Sequence, residues 1–151
     1  MTDKKIYNID DRSKHAFNIF YNRLMQDDNY LSKIEKEMIA VVVSTTNRCL
    51  YCCVSHSYTL GKLLKDPIKA KNILINYEVA QISKKHKIML DFVCKLTQNS
   101  HKINEGDRNN LRKIKFNEFH ILEIIEVAAF FNMTNRIASG TNMAPNAEYY
   151  F

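Results

Sequence analysis

The chain has 151 residues, 46% of them apolar and 25% charged, with a formal net charge of +6. That length and apolar share give one domain over 1–151 as the expectation, with a core that needs no metal or disulfide staples. Only three glycines and two prolines occur, too few for the turns of a β-sandwich or barrel, so composition points to an all-α fold.

Apolar residues recur at helical spacing along nearly the whole chain. A first helix is predicted over about 12–25, with Ala16, Phe17, Phe20, Tyr21 and Leu24 on one face. A second opens at Ser32, where Ser32 and Glu35 have the spacing of a capping box just ahead of the apolar run 38–43. That run is β-branched enough for a buried strand, but the box and the periodic Ile34, Met38 and Val42 favour a buried helix. Asn47 and Arg48 read as a turn, and a third helix follows over about 50–64. Asp66 and Pro67 cap and open a fourth. Ser83 opens a fifth, and a short helix follows Asn104. The last runs over about 117–137, with Gly140 as its stop. Its segment 124–131 is apolar nearly all round, which fits either a central core helix or burial against a second copy of the chain. The apolar tail Tyr149, Tyr150 and Phe151 points towards the second option.

No stretch is long and apolar enough to span a membrane, and residues 1–14 carry charge without the apolar centre of a signal peptide. The expected location is the cytoplasm, where the four cysteines stay reduced and serve packing, metal binding or redox chemistry. Lysines gather at Lys62, Lys65, Lys69 and Lys71 and again at Lys84, Lys85 and Lys87. Aromatics are not interleaved with them, so they read as solvated helix faces, and neither nucleic acid nor a membrane is expected as a partner.

Chemistry concentrates at 49–56. Cys49 and Cys52 form a C-x-x-C at a predicted helix start, where unpaired backbone N–H groups favour thiolate. Cys49, Cys52 and His56 share one helix face. Glu37 lies ten residues before Asn47 and His56 nine after it. If the two helices form an antiparallel hairpin, equal rise per residue brings Glu37 and His56 to the same height, where a carboxylate orients the ring for proton transfer. The result is a proton path to Cys52 with Cys49 placed to close a disulfide. A zinc site on the same four residues lacks a second C-x-x-C, and a thioredoxin-type site lacks its αβ pattern. Two cysteines one turn apart can also be plain core residues. Cys53 and Cys94 read as packing. His15, His86, His101 and His120 have no thiol or carboxylate at a telling spacing, apart from a surface pair of His120 with Glu123.

The pattern Glu37-x11-Cys49-x2-Cys52-x3-His56, with 31–44 before it and Asn47-Arg48 within it, resembles the AhpD-like (alkylhydroperoxidase D-like) branch of the carboxymuconolactone decarboxylase superfamily, nearest its peroxidase-related enzymes. Further echoes run over 89–97 and 121–138, including Phe131-Asn132 and Asn135-Arg136. The resemblance implies an AhpD-like bundle of about six or seven helices and homo-oligomers built on a dimer. It also implies a thiol-dependent peroxidase with Cys52 as the peroxidatic thiol, Cys49 as the resolving one, and Glu37 and His56 as the proton relay. An external dithiol, protein or lipoyl, would regenerate the pair, and no bound cofactor or metal is expected. The sequence departs from the family at Tyr51 and Ser55, where relatives carry histidines. Dithiol–disulfide exchange with a protein or lipoyl partner is the alternative on the same site, and a non-catalytic redox-sensing module is the alternative from another class.

Overall fold

The structure, a computed structural model, describes residues 11–26 and 29–150. Residues 1–10, which hold most of the charged N-terminal stretch, and Phe151 lie outside the described residues. Seven α-helices and no strand occur among those described: α1 Asp11–Tyr21, α2 Lys33–Thr46, α3 Leu50–Leu64, α4 Pro67–Asn76, α5 Lys84–Asn99, α6 Glu105–Lys113 and α7 Glu118–Gly140. The expected first helix ends earlier than its apolar spacing suggests, passing into a π-helical turn, Asn22–Gln26, that buries Leu24 and Met25.

Local chemistry explains most boundaries. Ser32 and Glu35 form both halves of a capping box, with Ser32 Oγ accepting from the Glu35 N–H at 3.2 Å and Glu35 Oε2 accepting from the Ser32 N–H at 2.9 Å. Side chains of Asp66, Ser83, Asn104 and Asn117 cap α4, α5, α6 and α7 in the same way. The β-branched run 38–43 is helical and buried on every side, because α2 packs against α3, α4, α5 and α7 and has no face left for solvent.

α7 is the second core helix. Ile124, Val127, Ala128, Phe130 and Phe131 are all buried within this one chain. α2 and α5 pack along it, and Phe17, Phe20 and Tyr21 of α1 bring their ring centroids to within 5.3–6.0 Å of Phe130. The apolar surround of 124–131 therefore needs no second copy to cover it. Exposed apolar side chains on α7 are Phe119, Leu122 and Met133, on the opposite stripe. No helix among the described residues is long and apolar enough to cross a membrane.

A buried ion pair ties α2 to α7. Lys36 Nζ lies 3.1 Å from Glu123 Oε1, with side-chain exposures of 0% and 5%. The other Glu123 oxygen accepts from the backbone N–H groups of Tyr30 and Leu31, at 3.0 and 2.7 Å, and so fixes the entry to α2. Lys36→Met would leave that carboxylate buried without a countercharge. It should cost about 3 kcal/mol of unfolding free energy, read from denaturant curves. Adding Glu123→Gln should recover part of the loss.

Candidate active site

The α2–α3 hairpin closes in three residues, 47–49. Asn47 ends α2, Arg48 follows in the left-handed conformation with φ 56°, and Cys49 is already the N-cap of α3. The Arg48 N–H reaches the Thr45 carbonyl and the Cys49 N–H reaches that of Ser44, both at 3.0 Å, the paired bonds of a Schellman stop. A non-glycine residue in that conformation is held at some cost, and it fixes Cys49 on the positive end of α3.

The two sulfurs of the C-x-x-C lie 2.7 Å apart, one thiol donating to the other, and both residues are buried. The pair shares its charge unequally. The hydrogen bond with Cys52 brings the Cys49 thiol down to about 6 from its ordinary 9.0, against the opposing effect of burial. The Cys52 backbone N–H, the Ser139 hydroxyl and the charge of His56 help in the same direction. The same bond, and burial, push Cys52 well above the ordinary thiol range. The helix start at Cys49 thus favours negative charge on the pair. A depressed value means that the charge survives as pH falls, until about 6. Thiolate absorbance of the reduced protein should accordingly rise in a first step near pH 6 that Cys49→Ser removes. A first step at the free-thiol value of ~8.5 would contradict this arrangement.

Glu37 and His56 meet across the hairpin, with His56 Nδ1 hydrogen-bonded to Glu37 Oε2 at 2.8 Å. Phe131 of α7 stands edge-on to the imidazole, with centroids 4.6 Å apart, and limits its rotation. Glu37, Cys52 and His56 line one wall of a cavity of about 460 Å³. The other walls are largely aromatic, with Phe17 and Tyr21 of α1, Tyr58 of α3, Phe130 and Phe131 of α7, and Tyr149. Tyr51 also lines it, while Cys49 lies behind. The structure thus brings all four residues singled out from the sequence into one site.

Sequence reasoning missed a polar network beneath the sulfurs. Asn135, buried in α7, donates to Ser44 Oγ at 3.1 Å and accepts from Asn47 Nδ2 at 3.0 Å. It also hydrogen-bonds Cys52, which lowers that thiol. The available signal was register. Asn135 falls four residues after Phe131 on the buried stripe that also carries Ile124, Ala128 and Ala138.

Cys53 and Cys94 are half-buried and sit against Thr45 and Thr46, each at 3.9 Å. Burial pushes the Cys53 thiol up. His120 does not pair with Glu123, which Lys36 and the backbone occupy. It donates instead to its own N-cap, Asn117, at 2.7 Å. Among the described residues, no three His, Cys, Asp or Glu side chains are arranged to hold a metal ion.

A peroxidase-related protein of uncharacterized function from Silicibacter sp. TM1040 has the same fold at a TM-score of 0.93 and 46% sequence identity, covering 95% of this chain and 75% of that one. The model of the carboxymuconolactone decarboxylase family matches residues 12–76, the segment that carries α2, the hairpin and α3. A second relative, a peroxidase-related protein with an alkylhydroperoxidase AhpD core from Ralstonia eutropha JMP134, is 37% identical at a TM-score of 0.88, covering 92% of this chain and 73% of that one. The chain belongs to the AhpD-like branch of the carboxymuconolactone decarboxylase family. The fold extends further, to a debrominase at 15% identity and a TM-score of 0.79, covering 90% of this chain and 72% of that one. No curated protein matches the chain significantly.

Proposed function

We propose that this AhpD-like protein is a dithiol-dependent peroxidase that reduces hydroperoxides through Cys49 and Cys52, with Glu37 and His56 as its proton relay. The observation that carries the reading is the sulfur pair, 2.7 Å apart, set beside a cavity on which a Glu37–His56 dyad also opens. The peroxidase-related relatives support it.

Cys52, the sulfur on the cavity, attacks the distal oxygen as thiolate. The O–O bond breaks, the alkoxide takes a proton and leaves as alcohol, and Cys52 becomes a sulfenic acid. With Nδ1 held on Glu37, proton exchange with the cavity runs through Nε2 of His56. The Cys49 thiolate then attacks the Cys52 sulfur, and the hydroxide leaves as water. One hydroperoxide and two thiols thus yield one alcohol, one water and one disulfide. An external dithiol, protein or lipoyl, reduces the pair by exchange. The chain works in the cytoplasm without a bound cofactor, as a homo-oligomer built on a dimer.

Steady-state consumption of an organic hydroperoxide with dihydrolipoamide as reductant tests the reading. Turnover of a disulfide substrate with no turnover of peroxide would instead make the protein a dithiol–disulfide oxidoreductase.

The aromatic lining favours one further reading, reductive removal of halogen from a ring. A carbon–bromine bond and two thiols would give a carbon–hydrogen bond, hydrogen bromide and the same disulfide. A debrominase of this fold has been seen in complex with 2,3,4-tribromopyrrole, at 14% identity to this chain. Bromide release from a brominated pyrrole distinguishes this reading from peroxide reduction.

A further inference from the structure

The cavity has a polarity that the dithiol chemistry does not use. Of its described lining residues, Asn18 and Asn22 of α1 and Thr59 of α3 are exposed, so its mouth lies between those two helices. Its inner end holds Cys52 and the Glu37–His56 pair. Along α3, Cys52, Ser55, Thr59 and Lys62 follow at i, i+3, i+7 and i+10, on one face of the helix. That face runs from the buried sulfur, through the mouth, to an exposed cation. Lys62 is not itself a wall of the cavity, but its ammonium lies 4.2 Å from the ring centroid of Tyr58, which is. The ring attracts the cation and keeps it at the rim.

The charge on Lys62 is uncompensated. Lys85, which also sits over an aromatic ring, is ion-paired with Glu35 at 3.0 Å. Among the described residues, no carboxylate stands within ion-pair distance of Lys62. The one carboxylate among the described lining residues is Glu37, at the inner end. A negative group is therefore repelled inside and attracted at the rim, and a ligand with an apolar chain and one anionic end enters with that end outward. Lys62 lies ten residues beyond Cys52 and reaches back over a ring six residues beyond it. At ~1.5 Å of rise per residue the cation stands about 9–15 Å from Cys52 along the helix. A long chain spans that distance and a short acid does not. A single ammonium, a compact point charge, suits a carboxylate better than a phosphate dianion, which calls for more donors.

We propose that the cavity takes long-chain hydroperoxides with a carboxylate at the far end, the hydroperoxide lying on Cys52 and the carboxylate on Lys62. The assignment of the reacting end rests on the peroxidase reading given above; the anion subsite rests on the cavity and Lys62.

Two readouts test it. ω-Hydroperoxydodecanoic acid and its methyl ester differ in charge at the far end. Wild-type kcat/KM should favour the acid about fivefold, the upper range for an exposed ion pair, through KM rather than kcat. The preference should shrink in high salt. Lys62→Gln should bring the acid-to-ester ratio close to one, and Lys62→Glu should invert it. Lys71→Met, at an exposed lysine of α4, should keep the wild-type ratio. Circular dichroism reports whether each variant folds. The alcohol product gives a readout that needs no turnover. ω-Hydroxydodecanoic acid should slow alkylation of Cys52 by iodoacetamide at lower concentration than its methyl ester does, and Lys62→Gln should remove the difference. Equal protection by acid and ester in the wild type overturns the proposal. So does a difference that Lys62→Gln leaves intact or that Lys71→Met removes as well, and so does active wild-type enzyme with an acid-to-ester ratio of one. Protection that depends on Lys62, with no hydroperoxide consumed, would leave the anion subsite standing and remove the peroxidase reading alone.

Discussion

Cys52→Ser should abolish hydroperoxide turnover, lowering kcat/KM by roughly a thousandfold or more, as removal of a nucleophile does elsewhere. Cys49→Ser should behave differently. It keeps the sulfur that faces the cavity, so one equivalent of peroxide should still be consumed, but the reaction should stop at a sulfenic acid that a dimedone probe captures. The two variants also settle the division of labour within the pair. Cys49 holds its proton less tightly, at about 6, yet Cys52 has the access. A trapped sulfenic acid on Cys49 in the Cys52→Ser variant, with none on Cys52 in the other, would reverse the roles.

Glu37→Gln and His56→Ala should each lower the rate by about 10²–10⁴-fold, the usual contribution of a positioned proton donor or acceptor. Glu37→Gln preserves volume and leaves the hairpin intact, so circular dichroism should not change. The double variant should be little slower than His56→Ala alone, because the carboxylate, 2.8 Å from Nδ1, acts through the ring. Losses that multiply fully would give the two residues independent tasks and remove the relay.

Much of this site was legible because its determinants are local. The cap residues Ser32, Asp66, Ser83, Asn104 and Asn117 lie within three residues of the amides they satisfy, so α2 and α4 to α7 start where the sequence reading placed them. The bounds of α3, 50 to 64, follow from the turn before it and the Asp66–Pro67 step after it. Glu37 and His56 meet because a three-residue connection leaves little freedom in register once the turn is placed at Asn47.

What was hidden depends on contacts between distant segments. Asn135 looks like any polar interruption of an apolar helix until α2 and the hairpin supply Ser44 and Asn47. The Lys36–Glu123 ion pair joins α2 to α7, whereas in the sequence Glu123 reads as a surface partner of the nearby His120. The same holds for the apolar girth of α7, which fits a core helix or a second subunit equally in the sequence and is covered within the chain by α2, α5 and the aromatic side chains of α1. The surroundings of the two thiols were hidden for a related reason, because Ser139 and Asn135, which bear on Cys49 and Cys52, both lie far along the chain.

Titration of reduced protein with one equivalent of an organic hydroperoxide, followed by non-reducing peptide mass mapping, asks directly whether the dithiol is the reacting group. The expected product is a single Cys49–Cys52 disulfide and one alcohol per protein chain, with Cys53 and Cys94 recovered as thiols. Hydroperoxide left unconsumed, or oxidation found at Cys53 or Cys94 while Cys49 and Cys52 remain reduced, would contradict it.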